Sequence, residues 1–207
     1  VVMLVNDIGP VTHGKDATRH FRDLAESGYR ALDSLRQSGQ ITAIGLGVNE
    51  AQVCLDALAV GDWDVFLLAG RYTLLEQDPL DDLLPQCMER AVSVVMGGPF
   101  NSGILVGGDT WNYDAAPEAV RSKVQRLRAV CQEYGVPLPA AALQFPLAHQ
   151  AVVSVVPGLR NRQELADTLA WAKHPLPAEL WQALKQRDLL HPNAPTPPSA
   201  PYQRAAP

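Results

Sequence analysis

Two stretches of this sequence carry residue patterns suited to holding an anion. The first is "GPVTHGKD" at residues 9–16, directly after the apolar run "VVMLV". It reads G-x-x-x-x-G-K, most of a phosphate-binding loop. Such a loop needs a Ser or Thr after its Lys, because that hydroxyl ligates Mg²⁺ beside the phosphates. Asp16 stands there instead, with a charge that would repel phosphate oxygens, and Thr18 comes too late in the turn. The stretch therefore reads as a polar loop leaving a strand, not as a nucleotide hydrolase. The second, "VVSVVPGLRNRQEL" at residues 152–165, has more of what an anion needs. An apolar run ends at Pro157-Gly158, and Arg160, Asn161, Arg162 and Gln163 then open a helix. A helix amino terminus presents free N–H donors and a partial positive charge. Two arginines beside it make a site suited to a phosphate, although arginines on a helix start are often merely solvated.

Metal chemistry finds no such support. His13, His20, His149, His174 and His191 match no ligand spacing, and no metal site is expected. The three cysteines, Cys54, Cys87 and Cys131, form no C-x-x-C pair. Free thiols in a reducing cytoplasm are the expectation, not a disulfide framework.

The elements that must position these residues alternate along the chain. Apolar runs "VVMLV", "ITAIGLG", "DVFLLAG", "VSVVM" and "VVSVV" are rich in Val and Ile and close on Gly, Asn or Pro. Such uninterrupted runs suit parallel strands covered on both faces. Helical spacing fills the gaps. Phe21, Leu24, Gly28, Ala31, Leu32 and Leu35 share a face, with Gly39 as the stop. Further helices are expected over Glu50–Val60, Leu80–Glu89, Pro117–Gly135, within "VPLPAAALQFPLA", over Arg162–Ala172 and over Ala178–Asp188. Strand and helix in turn, with no hairpin signal, predict an α/β fold with a parallel sheet. "GLGVNE" offers G-x-G but has Glu50 where a dinucleotide fingerprint needs its third Gly. Residues 191–207, "HPNAPTPPSAPYQRAAP", are too Pro-rich to pack and are expected to be a disordered tail after a 1–190 unit.

The 207 residues allow one sizeable core, and 47% hydrophobic with 19% charged residues is the balance of a globular domain. A formal net charge of −5 gives no footprint for nucleic acid or an anionic membrane, and no apolar run approaches spanning length. Val1 opens inside an apolar run, which reads as a cut made in a longer chain.

Taken in order, the strand ends "NDIGPVTHG", "GLGVNE", "AGRYTLLEQ", "GGPFNSGIL" and "PGLRNRQEL" resemble the aldo-keto reductases. The likeness is to the branch of D-threo-aldose (L-fucose-type) 1-dehydrogenases and pyridoxal dehydrogenases. It runs from Val1 to about Leu190. The resemblance implies a (β/α)8 TIM barrel of which this chain supplies strands four to eight, an N-terminally truncated barrel of about five βα units. It implies an NADP or NAD cofactor, and hydride transfer to or from an aldose sugar or a small aldehyde or alcohol. The family's catalytic Tyr, Lys and Asp belong to the first three strands and have no counterpart here. Its catalytic His falls on Asn6, which can donate a hydrogen bond to a carbonyl oxygen but cannot titrate. Asp7 and His13 fall at the substrate mouth.

On the cofactor side, the resemblance places Asn49 at the nicotinamide carboxamide, although Asn there would equally cap the following helix. Tyr72 falls where the family has a "YN" pair, with Thr73 for the Asn and Ala69 for a preceding Gln, or it packs at the rim. "GGPFNSGIL" resembles a pyrophosphate clamp in which N–H groups around Phe100, Ser102 and Gly103 cradle phosphate. Gly158, Arg160, Arg162 and Gln163 would then take the adenosine phosphate, leaning towards NADP. The alternative is a catalytically inactive barrel fragment, binding cofactor or partners and self-associating through open barrel edges.

Overall fold

The computed structural model describes residues 1–198. Among them seven strands are present: β1 (Val2–Asn6), β2 (Ala43–Val48), β3 (Val65–Ala69), β4 (Ser93–Gly97), β5 (Thr110–Trp111), β6 (Asp114–Ala115) and β7 (Val152–Val156). Five form one parallel sheet in the order β1-β2-β3-β4-β7, while β5 and β6 pair only with each other. The apolar runs read from the sequence are the strands of this sheet, and each succeeds its neighbour in chain order. Helices make the crossovers. α1 (Pro10–His13), α2 (Ala17–Asp23) and α3 (Tyr29–Gln37) precede β2; α4 (Ala51–Leu58) and α5 (Leu83–Glu89) precede β3 and β4. α6 (Glu118–Glu133) and α7 (Leu138–Gln144) precede β7, and α8 (Arg162–Ala172) and α9 (Ala178–Gln186) follow it.

One face of the sheet carries the core. Ile44, Leu46 and Val48 of β2, Phe66 and Leu68 of β3, and Val94 and Met96 of β4 are buried beneath the helices. Behind them pack Val53, Cys54, Ala57 and Leu58 of α4, Leu83, Leu84 and Cys87 of α5, and Val124, Leu127, Val130 and Cys131 of α6. These fall at helical spacing on one stripe of each helix. The alternate strand residues face the other way, because side chains switch faces at each step. There Leu4, Leu67 and Val95 are only half-buried, and Val156 is 48% exposed. That face lies open, contrary to the rule that parallel sheets are covered on both sides.

Glycines shape it. At Gly45 a side chain would run into the Val65 carbonyl, and at Gly47 into the Asn6 amide. Their bare backbone lets β3 approach and lets Asn6 lie across β2.

Three expectations shift. α2 and α3 are one helical run, joined by a π-turn at Leu24–Gly28. That wider winding turns Tyr29 inward, where its hydroxyl accepts from Asp62 N at 2.8 Å, and leaves Ala31 exposed. A hairpin appears where none was expected, around Asn112 (φ 49°) and Tyr113 (φ 66°). Finally, the Pro-rich stretch packs further than 190. Ala194 is 1% exposed, its carbonyl accepts from Lys185 Nζ at 2.7 Å, and His191 N donates to Gln77 Oε1 at 3.3 Å. These polar anchors offset the stretch's poverty in large apolar side chains. Residues 199–207 of the expected tail lie outside the described residues.

Candidate functional site

The strands' carboxyl ends converge on one cleft of about 1020 Å³. Asn49 comes from the end of β2, Gly70 and Arg71 from β3, Gly98 and Phe100 to Gly103 from β4, and Val156 to Arg160 from β7. Glu164, Asp167, Thr168 and Trp171 of α8 form one wall, spaced so that a single face of the helix turns inward. Asp109, Thr110, Asn112 and Tyr113 of the hairpin overhang the opposite side, with Tyr113 75% exposed at its tip. Phe100 meets Trp171 edge-on at 5.7 Å between ring centroids, tying the β4 loop to α8.

The loop after β4 turns sharply. Asn101, Ser102 and Gly103 all have positive φ, uncommon for the first two. Polar contacts hold the turn in place. Thr110 Oγ1 donates to Ser102 O at 2.6 Å, and Ser102 Oγ accepts from Tyr113 N at 3.0 Å. Asn101 Nδ2 donates to Gly70 O at 3.1 Å and to Glu76 Oε2 at 2.7 Å. Glu76 also accepts from Trp111 Nε1 at 3.1 Å and faces Arg71 at 3.5 Å. Burial raises the Glu76 carboxyl above its ordinary range, with Trp111 and Arg71 opposing. Arg71 reaches on to Asn49 O at 2.6 Å and Asn112 Oδ1 at 2.8 Å, linking the ends of β2, β3 and the hairpin.

Two buried polar atoms in the cleft wall have no hydrogen-bond partner among the described residues. They are Asn101 Oδ1, on a residue 3% exposed, and Thr168 Oγ1, on one 7% exposed. Orphaned buried polar groups are costly, and here both belong to residues that line the cleft.

The structure brings Asn49, Phe100, Ser102, Gly103, Gly158 and Arg160 to this one cleft. It does not bring all the expected residues there. Tyr72 is wholly buried in the core, 5.2 Å from the Phe145 ring and 5.7 Å from His149, and it does not line the cleft. Burial drives its phenol upward, so it stays neutral as a packing residue. Arg162 and Gln163, the first two residues of α8, are exposed and outside the cleft lining, and Gln163 Nε2 donates to Asp167 Oδ1 at 2.9 Å.

Asn6, Asp7 and His13 sit at the same end of the sheet but on the β1 side, outside the cleft lining. Asp7 has φ 53° and its N–H donates to Gly47 O at 2.9 Å; His13 stacks on His20 at 4.1 Å. The phosphate-loop look of residues 9–16 dissolves: Pro10–His13 is a helical turn and Gly14–Asp16 a 3-10 turn. No cluster of His, Cys, Asp or Glu suited to a metal occurs among the described residues.

α8 begins with a capping box. Asn161 Oδ1 accepts from Glu164 N at 2.9 Å, and Glu164 returns to the cap through Asn161 Nδ2 at 3.1 Å and Arg160 N at 2.8 Å. Those bonds and the Arg160 guanidinium hold the Glu164 carboxyl below its usual range.

Residues 4–188 match the aldo/keto reductase family. Over 194 residues the chain is 41% identical to pyridoxal 4-dehydrogenase of Microbacterium luteolum, covering 91% of this chain and 57% of that protein. Over 181 residues it is 37% identical to D-threo-aldose 1-dehydrogenase of a Pseudomonas species, covering 84% and 55%. The chain thus spans somewhat over half the length of these relatives. In three dimensions it superposes on an aldo-keto reductase of Bacillus halodurans (holo form) with a TM-score of 0.66 at 21% identity, covering 89% of this chain and 66% of that one. Five consecutive parallel βα units with such neighbours are an arc of a (β/α)8 barrel, and the chain belongs to the aldo/keto reductase family.

Proposed function

We propose that the cleft binds an extended NAD or NADP, and that the chain is the cofactor-binding portion of an oxidoreductase acting on an aldose sugar or a small aldehyde or alcohol. The observation that carries this reading is the cleft itself, which crosses the carboxyl ends of β2, β3, β4 and β7 and reaches from Asn49 to Arg160. The Ser102 N–H suits a pyrophosphate oxygen, while that of Gly103 is spent on Phe100 O at 3.0 Å; Asn49 suits a carboxamide, and Phe100 with Trp171 the flat faces of a base. Hydride exchange with a carbonyl or alcohol carbon is the chemistry that the cofactor supplies when bound. Asn6, beside the cleft on β1, would offer its amide N–H to the substrate oxygen, held there by the bare backbone of Gly47. The substrate class is supported by the two dehydrogenase relatives.

Titration of the chain with NADH, followed by nicotinamide fluorescence, tests the reading through Asn49→Ala. The change removes the side-chain amide at the cleft and leaves the backbone carbonyl that Arg71 holds. Binding should weaken about three- to tenfold, the worth of one hydrogen bond. An unchanged affinity, or no binding by a folded chain, would sink it.

A second reading is a non-catalytic cofactor-binding or interaction protein, motivated by the half-exposed face of the sheet. Coding sequence upstream of Val1 that supplies no Tyr and Lys segment would favour it.

A further inference from the structure

Glu50 stands at the N-cap of α4, a position that favours Ser, Thr, Asp or Asn, and its side chain makes no bond to its own helix. Its carboxylate goes to the loop after β1 instead. We propose that Glu50 is a positioning residue for the substrate: it fixes residues 9–16 as a wall of the substrate mouth beside the cleft. The inference rests on the oxidoreductase reading of that cleft and adds to it a residue that acts on the substrate side.

Glu50 Oε1 accepts from Val11 N at 2.7 Å, within the range of a charge-assisted bond. That donor is the one the loop leaves over. Pro10 has no N–H, and Thr12 and His13 both donate to Gly9 O. Gly9 permits the approach, because a Cβ there would run into both oxygens of the Glu50 carboxylate. Among the described residues this is the one hydrogen bond that ties residues 9–16 to β2 or to the loop after it.

The dipeptide Asn49-Glu50 therefore serves two sides. Asn49 lines the cleft, with its carbonyl held by Arg71 Nε at 2.6 Å, while Glu50 grips the loop that carries His13. That loop follows directly on Asn6 and Asp7, and Asp7 N is itself pinned to Gly47 O at 2.9 Å. With one end fixed at Asp7 and its first turn fixed by Glu50, the loop keeps a set place next to Asn6, whose amide would meet the substrate oxygen. Its position bears on which substrates fit, not on how the cofactor is held.

The test compares the unmodified 207-residue chain with Glu50→Ala, Glu50→Gln and Gly9→Ala. Binding is read rather than turnover, since the family's catalytic Tyr and Lys have no counterpart here. Each form is saturated with NAD and titrated with L-fucose as the aldose probe, followed by NMR of the His13 and His20 rings, which stack at 4.1 Å. Glu50→Ala should weaken L-fucose binding about tenfold, the worth of a hydrogen bond to a charged group, and speed exchange of the Val11 amide by a similar factor. Gly9→Ala, which displaces the carboxylate from the other side, should do the same. Glu50→Gln keeps an acceptor oxygen at the same reach and should restore most of both. NADH affinity should stay constant throughout. L-fucose binding unmoved by Glu50→Ala and Gly9→Ala, or a Glu50→Gln form as poor as Glu50→Ala, overturns the proposal. So does a loss of NADH affinity equal to the loss for L-fucose, which would make Glu50 a residue of general stability. If NADH binds the unmodified chain while L-fucose does not, the substrate-side role fails and the cofactor reading stands. If NADH does not bind, the cofactor reading fails with it.

Discussion

Residue by residue, the cleft depends on which side chains are already satisfied. Arg160 precedes the cap of α8 and lines the cleft, while Arg162, two positions on and in the first turn of the helix, is exposed and does not line it. Sequence reading weighted both equally because charge carries no direction. Glu164 reads as the third member of a capping box, and its hold on the guanidinium shows only in three dimensions. The lack of a partner at Thr168 and Asn101 is likewise a property of packing, invisible to any motif. His149 illustrates the electrostatics of the core. It is half-buried against Tyr72, its Nδ1 accepts from Ala151 N at 3.2 Å, and burial lowers its pKa. The folded state therefore favours the neutral ring. As pH falls through the ordinary value of about 6.5, the unfolded chain takes up a proton first, so this contribution is held above that pH and lost below it. Melting temperatures compared between about pH 7 and pH 5 should fall less in His149→Asn than in the unmodified chain; parallel curves would refute this.

At the level of elements, the parallel sheet was legible because its strands are nearly unbroken Val, Ile and Leu runs, and most helices because their apolar stripes recur at helical spacing. α8 begins and ends at the residues expected, from Arg162 to Ala172, since Asn161 is a strong cap. The hairpin was not legible. Its turn is Asn112-Tyr113, without the Gly that usually signals positive φ, and Arg71 and Ser102 help to hold it in place of turn chemistry. The π-turn at Leu24–Gly28 left no mark in an amphipathic pattern that tolerates one extra residue. Gly45 matters more than its size suggests. A methyl group there meets the Val65 backbone, which cannot rotate away as a side chain would. Gly45→Ala should cost about 1–3 kcal/mol in urea unfolding, as overpacked sites do, and a cost near zero would mean that β2 and β3 separate freely.

For the molecule as a whole, the open face of the sheet dominates. Val153, Val156, Leu159, Leu165 and Leu169 are exposed along the β7–α8 edge, as are Val2 and Met3 along β1. In the isolated chain such edges invite pairing. Sedimentation velocity should show the 207-residue chain associating as concentration rises, and Val153→Lys with Val156→Lys should suppress it; a monomer at every concentration would contradict this. Open barrel edges were expected from the resemblance, but composition alone does not say which face is exposed, because strand residues on both sides are equally apolar. The three cysteines record what happens behind that face. Cys54, Cys87 and Cys131 sit on α4, α5 and α6, each wholly enclosed, with burial pushing the thiols of Cys87 and Cys131 up to about 12. A shielded, protonated thiol reacts only when its own helix lifts away. Nature has thereby placed a stopwatch on each of three successive layers of the arc, and their relative alkylation rates would reveal whether the structure comes apart like a fan, from one rim inwards, or all at once.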